Sequence, residues 1–285
     1  MHWTNRREKF RAHLAGDRCF HPGSVFDAMS ARIAEDVGFE VGMFAGSVGS
    51  LSVLGSPDDI VLTLTEFAGQ AYRINRAGQL PLIVDADHGY GNALNVKRTV
   101  EELETAGVAM LTIEDTELPK AFGTVGTTRL ISIEEGVGKM KAALEGRQDP
   151  SLVVAGRSSA AGVTGIDDAI ARTKAYEAAG VDCMFLAGIK TRDELEAISS
   201  AVSIPLMLGS TPDEIRDLDY LATQRVRFAL QGHKPIMASI KAVYDTLKAL
   251  REGTDPKDLE GASAELQNQV TRGDDFKRWK KDYLS

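Results

Sequence analysis

The chain alternates between two kinds of segment. Short apolar runs end in small or polar residues, and each is followed by a longer amphipathic stretch. Eight runs read as strands: Cys19–His21, Val41–Ser47, Pro81–Asp87, Met110–Asp115, Leu152–Ser158, Cys183–Ile189, Pro205–Ser210 and Val226–Gln231. Most are continuously apolar, as in Pro81-Leu82-Ile83-Val84, which fits parallel strands covered by helices. The stretches between them carry a helical period. Val96, Val100 and Leu103 share one face of Val96–Ala106, with Gly107 as its stop. Ile170, Thr173 and Tyr176 do the same in Asp167–Ala179, with Gly180 as its stop. Ser132 and Glu135 have capping-box spacing and open a helix to Leu144.

Eight strand–helix units predict an α/β fold of the (β/α)8, TIM-type barrel class; the rival is an open doubly wound sheet. Residues 4–15 predict an extra N-terminal helix closing the bottom of the barrel. After Leu250 the polar break Arg251–Pro256 leads to a helical stretch, Ala262–Leu284, read as a C-terminal helical arm. The expected organisation is a single domain, 1–285, with the barrel at about 17–250 and the arm at about 251–285.

Composition narrows the function. The 285 residues would suggest about two domains at ~150 residues each, but eight barrel units absorb most of them. Thirty-three basic against 41 acidic residues give a net charge of −8, which argues against a nucleic-acid partner. Cys19 and Cys183 are too few for a disulfide framework or a four-cysteine zinc site, and both sit in apolar runs as core residues. No run approaches the ~18 apolar residues of a membrane span, and the N-terminus has no apolar signal core. The expectation is a cytoplasmic protein with reduced thiols and no membrane partner.

In a barrel, chemistry collects at the C-terminal ends of the strands. There the sequence places Ser47, Asp85, Asp87, Glu114, Asp115, Arg157 and His233. Asp85 and Asp87, two apart, point to one side of a strand end and would repel. Either one carboxyl is protonated or a cation lies between them. With Glu114 on the next strand the donors are all oxygen, which suits Mg²⁺ or Mn²⁺ rather than zinc. Capping is the structural alternative for Asp87 or Asp115. Arg157 calls for a bidentate partner, either a substrate carboxylate or a structural pair with Glu114 or Asp87. His233, after Gly232 at a strand end, reads as functional, and His88 as loop packing. Gly89-Tyr90-Gly91 lacks the third glycine of a dinucleotide loop, and Gly123–Thr128 lacks the lysine of a P-loop. Residues 123–128 read as a mobile active-site loop or a plain connection.

Three segments together resemble the isocitrate lyase/phosphoenolpyruvate mutase superfamily: Asp85-Ala86-Asp87-His88-Gly89-Tyr90-Gly91-Asn92, Ile113-Glu114-Asp115 and Ser24-Val25-Phe26-Asp27-Ala28-Met29-Ser30-Ala31. The resemblance runs from about residue 10 to 250. It implies a (β/α)8 barrel that binds 2-oxo acids or their enolates through Mg²⁺ and forms helix-swapped homotetramers. The carbon–carbon lyases of that superfamily carry a Lys-Lys/Arg-Cys-Gly-His loop. Pro119–Gly126 has neither Cys nor His, so isocitrate or methylisocitrate cleavage is not expected. Gly46-Ser47-Val48, and Gly232-His233 followed by Ala238–Ala242, look like the branch that decarboxylates oxaloacetate. That branch implies Mg²⁺-dependent loss of CO₂ from oxaloacetate through a metal-stabilised enolate, giving pyruvate. Asp85 would hold the metal, with Asp87 and Glu114 acting through water. Ser47, Arg157 and His233 would bind substrate, the last two as catalytic groups. One departure is Arg157-Ser158-Ser159-Ala160, where the superfamily often has Arg-Thr-Asn/Asp-Ala. The alternatives are a C–P mutase or hydrolase, a lyase on a related 2-oxo or 2-hydroxy acid, and a metabolite-binding barrel without catalysis.

Overall fold

The computed structural model describes residues 3–124 and 126–285. Val125 lies outside the described residues, so the expectation for 123–128 is followed only at its other positions. Eight parallel strands form one sheet in sequence order: β1 Gly23–Ser24, β2 Gly42–Phe44, β3 Leu82–Asp85, β4 Met110–Glu114, β5 Val153–Ser158, β6 Cys183–Leu186, β7 Leu206–Leu208 and β8 Val226–Ala229. The sheet curls until its edges meet at Phe20. The Phe20 amide donates to the Arg227 carbonyl at 2.9 Å, and the Phe20 carbonyl accepts from the Ala229 amide at 2.9 Å. The expected TIM-type barrel is therefore present.

The helices are α1 Thr4–Ala15, α2 Ala28–Asp36, α3 Gly46–Gly49 (continued by a π-turn, Ser50–Leu54), α4 Leu64–Asn75, α5 Ala93–Thr105, α6 Ile133–Gly146, α7 Ala160–Val163, α8 Ile166–Ala179, α9 Arg192–Ala201, α10 Leu218–Thr223, α11 Lys234–Arg251, α12 Ala264–Thr271 and α13 Gly273–Leu284. Asp27, Thr63, Asn92 and Thr191 open their helices with reciprocal capping boxes. At Ser132 only half of the expected box forms: its hydroxyl accepts from the Glu135 amide, with no return bond. Val96, Val100 and Leu103 are fully buried, as the period requires.

α1 covers the barrel bottom. Phe10 stacks on Phe228 at 5.0 Å, and Arg7 and Arg11 donate to the carbonyls of Val108, Ser151 and Leu152, just ahead of β4 and β5. Those strand-entry carbonyls need donors, and the guanidinium forks supply them.

Three expectations change. The apolar run predicts a first strand at Cys19–His21, but the ladder lies at Gly23–Ser24. Pro22 has no amide to donate, so the chain makes one bridge at Phe20 and resumes pairing beyond it. The second run ends at Phe44, which puts Ser47 in α3. The arm is two helices, broken at Arg272 in a left-handed conformation. Arg272 pairs with Asp36 of α2 at 2.6 Å, and Val270 is buried, so α12 docks on α2, whereas α13 buries nothing. No helix among the described residues is long and apolar enough to cross a membrane.

Candidate active site

A cavity of about 690 Å³ opens at the C-terminal ends of the strands. It collects Ser47, Asp85, Asp87, Glu114, Arg157 and His233, every residue assigned to the site from sequence. The sheet register explains much of this. Glu114 of β4 lies opposite Arg157 of β5, which lies opposite Phe185 of β6. Neighbours in parallel register point the same way, so the three form one row across the floor.

Arg157 is the hub of that row. Its Nη1 pairs with Asp85 Oδ2. Its Nε lies 3.2 Å from Glu114 Oε2, in ion-pair contact but without hydrogen-bond geometry. The guanidinium sits over the Phe185 ring at 5.1 Å. The structural partners expected for Arg157 were Glu114 or Asp87; the observed pair is Asp85 with Glu114. Asp85, 7% exposed, also accepts from Thr112 Oγ1 at 2.9 Å, a residue directly opposite it on β4.

Asp87 reaches the cavity by a route the strand period did not give. β3 stops at Asp85, and Asp87 turns inward through a left-handed backbone, φ +48°. Its carboxylate packs on Gly46, where a Cβ would lie 2.5 Å from Oδ1. Lys139 Nζ donates to the His88 carbonyl at 2.9 Å, and Thr99 Oγ1 to the Gly89 carbonyl at 3.0 Å. These two side chains hold the turn that carries Asp87.

The electrostatics follow from crowding. Burial, then the charges of Asp85 and Glu114, hold the Asp87 carboxyl well above the usual range. Burial also raises Glu114 to about 7; Arg157 opposes this, while Asp85 and Asp115 add to it. The donor set therefore fits a hard divalent cation: it is all oxygen, mutually repelling, and only partly neutralised by Arg157. Among the described residues no three carboxylate, imidazole or thiol groups converge as a complete ligand set. One direct carboxylate with the others acting through water is compatible with that spacing.

Glu114 gives a testable pH dependence. Its folded pKa is raised, so the stability tied to its protonation is present below about pH 4.3 and lost as pH rises through about 7. We expect the melting temperature of chelator-treated Glu114→Gln to fall less between pH 5 and 8 than that of the wild type, roughly these pH limits bracketing the titration. Added Mg²⁺ should close much of the gap. Parallel melting curves would refute the assignment.

His233 follows β8 and immediately precedes α11 without capping it, placed by Gly232 at φ +79°. Its Nδ1 lies 2.8 Å from Ser24 Oγ, and burial lowers its pKa. Two strand-end residues stay out of the cavity. Asp115 is buried against Arg172 and the Tyr176 hydroxyl, at 3.0 and 2.9 Å, a structural role but an ion pair with a hydrogen bond in place of the expected cap. His88 is 3% exposed, with burial lowering its pKa to about 4, and packs the loop as expected. Cys19 and Cys183 are buried core thiols.

The cavity also recruits residues that strand-end logic did not select. Asp58 and Ile60 come from the loop after α3, Lys120 and Thr128 from the 119–128 loop, and Ser159 and Ser210 from beyond β5 and β7. The signal for Asp58 was available: any loop following a strand end opens on this face.

Residues 10–251 match the phosphoenolpyruvate phosphomutase family. The chain is 63% identical over 273 residues to an oxaloacetate decarboxylase of Bradyrhizobium diazoefficiens, covering 95% of this chain and 94% of the relative. Among solved structures it resembles oxaloacetate acetylhydrolase in complex with 3,3-difluorooxalacetate, at 25% identity, 98% and 97% coverage and a TM-score of 0.85. It also resembles phosphonopyruvate hydrolase in complex with oxalate and Mg²⁺, at 28% identity, 98% and 99% coverage and a TM-score of 0.83. With the barrel, the acidic cavity and a family match over most of its length, the chain belongs to the phosphoenolpyruvate phosphomutase family.

Proposed function

We propose that this protein is a Mg²⁺-dependent carboxy-lyase that converts oxaloacetate to pyruvate and CO₂, with Mn²⁺ as a possible substitute. The observation that carries the reading is Arg157 set between Asp85 and Glu114 on the cavity floor, with His233 on the same cavity. Its oxaloacetate-decarboxylating relative, nearly full in length, supports the substrate. Asp85 would hold the ion, and Asp87 and Glu114 would reach it through water. When bound, the ion supplies Lewis-acid stabilisation of negative charge growing on oxygen.

The chain's own residues do the rest. Arg157 clamps the C1 carboxylate with its planar fork, and Ser47 adds a hydrogen bond. Phe185 holds the guanidinium plane from below. His233 donates to the ketone oxygen or the C4 carboxylate and steadies the charge that develops. The C3–C4 bond breaks, CO₂ leaves, and the electron pair spreads over C3, C2 and the ketone oxygen. C3 then takes a proton from water, so the scheme needs no base.

The decisive assay follows pyruvate from oxaloacetate with Mg²⁺, against metal alone and against phosphonopyruvate and methylisocitrate. Oxaloacetate decay no faster than with metal alone would remove the reading, and phosphonopyruvate turnover would replace it with C–P hydrolysis. Mg²⁺-dependent substrate binding without turnover would make the chain a binding barrel. His233→Gln should lower kcat by about 100- to 1,000-fold while leaving Mg²⁺ affinity within about twofold, as expected for loss of one charge-stabilising donor. Equal loss of both, measured by steady-state kinetics and calorimetry, would make His233 structural.

The same reading includes a helix-swapped homotetramer. Of the α11 residues only Ile236 is buried, and Met237, Ile240, Val243, Tyr244 and Leu247 form an exposed apolar stripe. A second copy of this chain is the natural cover for a stripe of that length.

A further inference from the structure

Two histidines near the junction of β1 and β8 meet different partners at Nδ1: a carbonyl, which only accepts, and a hydroxyl, which can donate or accept. His21 Nδ1 lies 2.7 Å from the Ala229 carbonyl oxygen. A carbonyl only accepts, so that nitrogen must carry the proton. His233 Nδ1 lies 2.8 Å from the hydroxyl of Ser24, which is able to donate. Among the described residues this is the one side-chain hydrogen bond of Ser24. Ser24 ends β1 and His233 follows β8, 209 positions later, so the contact exists only because the barrel closes.

The cavity side of the ring decides which direction is useful. Burial holds the imidazole in its neutral form, with the Asp85 charge as the opposing influence. A neutral ring offers one donor and one acceptor. The oxygens of a 2-oxo dicarboxylate at neutral pH all accept. A ring whose Nε2 carried a lone pair would repel them, whereas an Nε2–H would bind them.

We propose that Ser24 is a positioning residue that donates its hydroxyl proton to His233 Nδ1 and so holds the ring as the Nε2–H tautomer, a hydrogen-bond donor into the cavity. His233 then works as a neutral electrophilic group and not as a base. The role of that donor in turnover rests on the proposed function; the tautomer itself does not.

The test separates the two. Nitrogen-15 NMR of the histidine side chains in the full-length protein, with His233→Gln identifying the resonances, reads the tautomer without substrate. The wild type and Ser24→Thr should show unprotonated Nδ1 and protonated Nε2 at His233. Ser24→Ala should admit the Nδ1–H tautomer and lower kcat about tenfold, the scale of one hydrogen bond to developing charge, with KM changed less. Ser24→Asp accepts from Nδ1, forces the wrong tautomer, and should be slower than Ser24→Ala. Ser24→Thr should recover most of the rate. An Nδ1–H tautomer in the wild type, or a Ser24→Ala variant with wild-type tautomer and kcat, overturns the proposal. An Nε2–H tautomer in a protein that does not consume oxaloacetate supports the pairing and sinks only the substrate assignment.

Discussion

Asp85→Ala is expected to abolish metal-dependent turnover and Mg²⁺ binding together. Asp85 sits at the meeting point of three interactions: the Thr112 hydroxyl, the Arg157 guanidinium and the open cavity. Truncating one member of a buried charge pair costs about 3–5 kcal/mol. That cost falls on the stability of the fold; the loss of turnover follows separately from the loss of the metal's carboxylate. Glu114 and Asp87 do not rescue the variant, because neither takes the place of Asp85 between the Thr112 hydroxyl and the Arg157 guanidinium. Pyruvate formation gives one readout and calorimetric Mg²⁺ titration the other. An intact rate would mean that the metal is held elsewhere.

Arg157→Met has the second large effect, and it separates stability from catalysis. The guanidinium is the close counter-charge for Asp85 and Glu114. Without it the two carboxylates, with Asp87 beside them, share a cavity with no near cation on the floor. The metal-free variant should lose about 3–5 kcal/mol at pH 8 and less at about pH 5, because Glu114, raised to about 7 by burial, takes up its proton between them. Added Mg²⁺ should therefore raise its melting temperature more than it raises that of the wild type. Turnover stays low even so, since the C1 carboxylate has lost its clamp. Arg157→Lys should restore stability better than rate, because an ammonium cannot bind two oxygens in one plane. A melting temperature equal to the wild type's at pH 8 in chelator would show that Arg157 does not balance the acids.

The parts of this molecule that were legible in its sequence are those where burial writes a long signal. Strands covered on both faces read as unbroken apolar runs, and a charged residue at the end of such a run stands out, which is how Asp85, Glu114 and Arg157 were found. What stayed hidden depends on a single backbone choice or on distant pairing. Pro22 moved the first ladder by a few residues. Asp87 was assigned to the cavity through a strand period, although it arrives there through a left-handed turn after the strand has ended. Ser47 was assigned correctly to the cavity but sits on a short helix. Ser24 carried no local sign of its bond to His233, because nothing near position 24 reports on a residue 209 places away.

The closure of the barrel has a consequence for its motions. Seven of the eight junctions between neighbouring strands are parallel ladders, β7–β8 with a register shift at Leu206–Met207, whereas β8 meets the start of the chain through an isolated bridge at Phe20. That junction is fastened by the two backbone bonds of Phe20, by His21 Nδ1 on the Ala229 carbonyl, and by Ser24 with His233. A seam with so few fastenings is where the cylinder would unzip first under local opening. In native-state hydrogen exchange the amides of Phe20 and Ala229 should exchange ahead of those in β3–β5. His233, the histidine proposed to meet the substrate, would then double as a latch on the barrel wall.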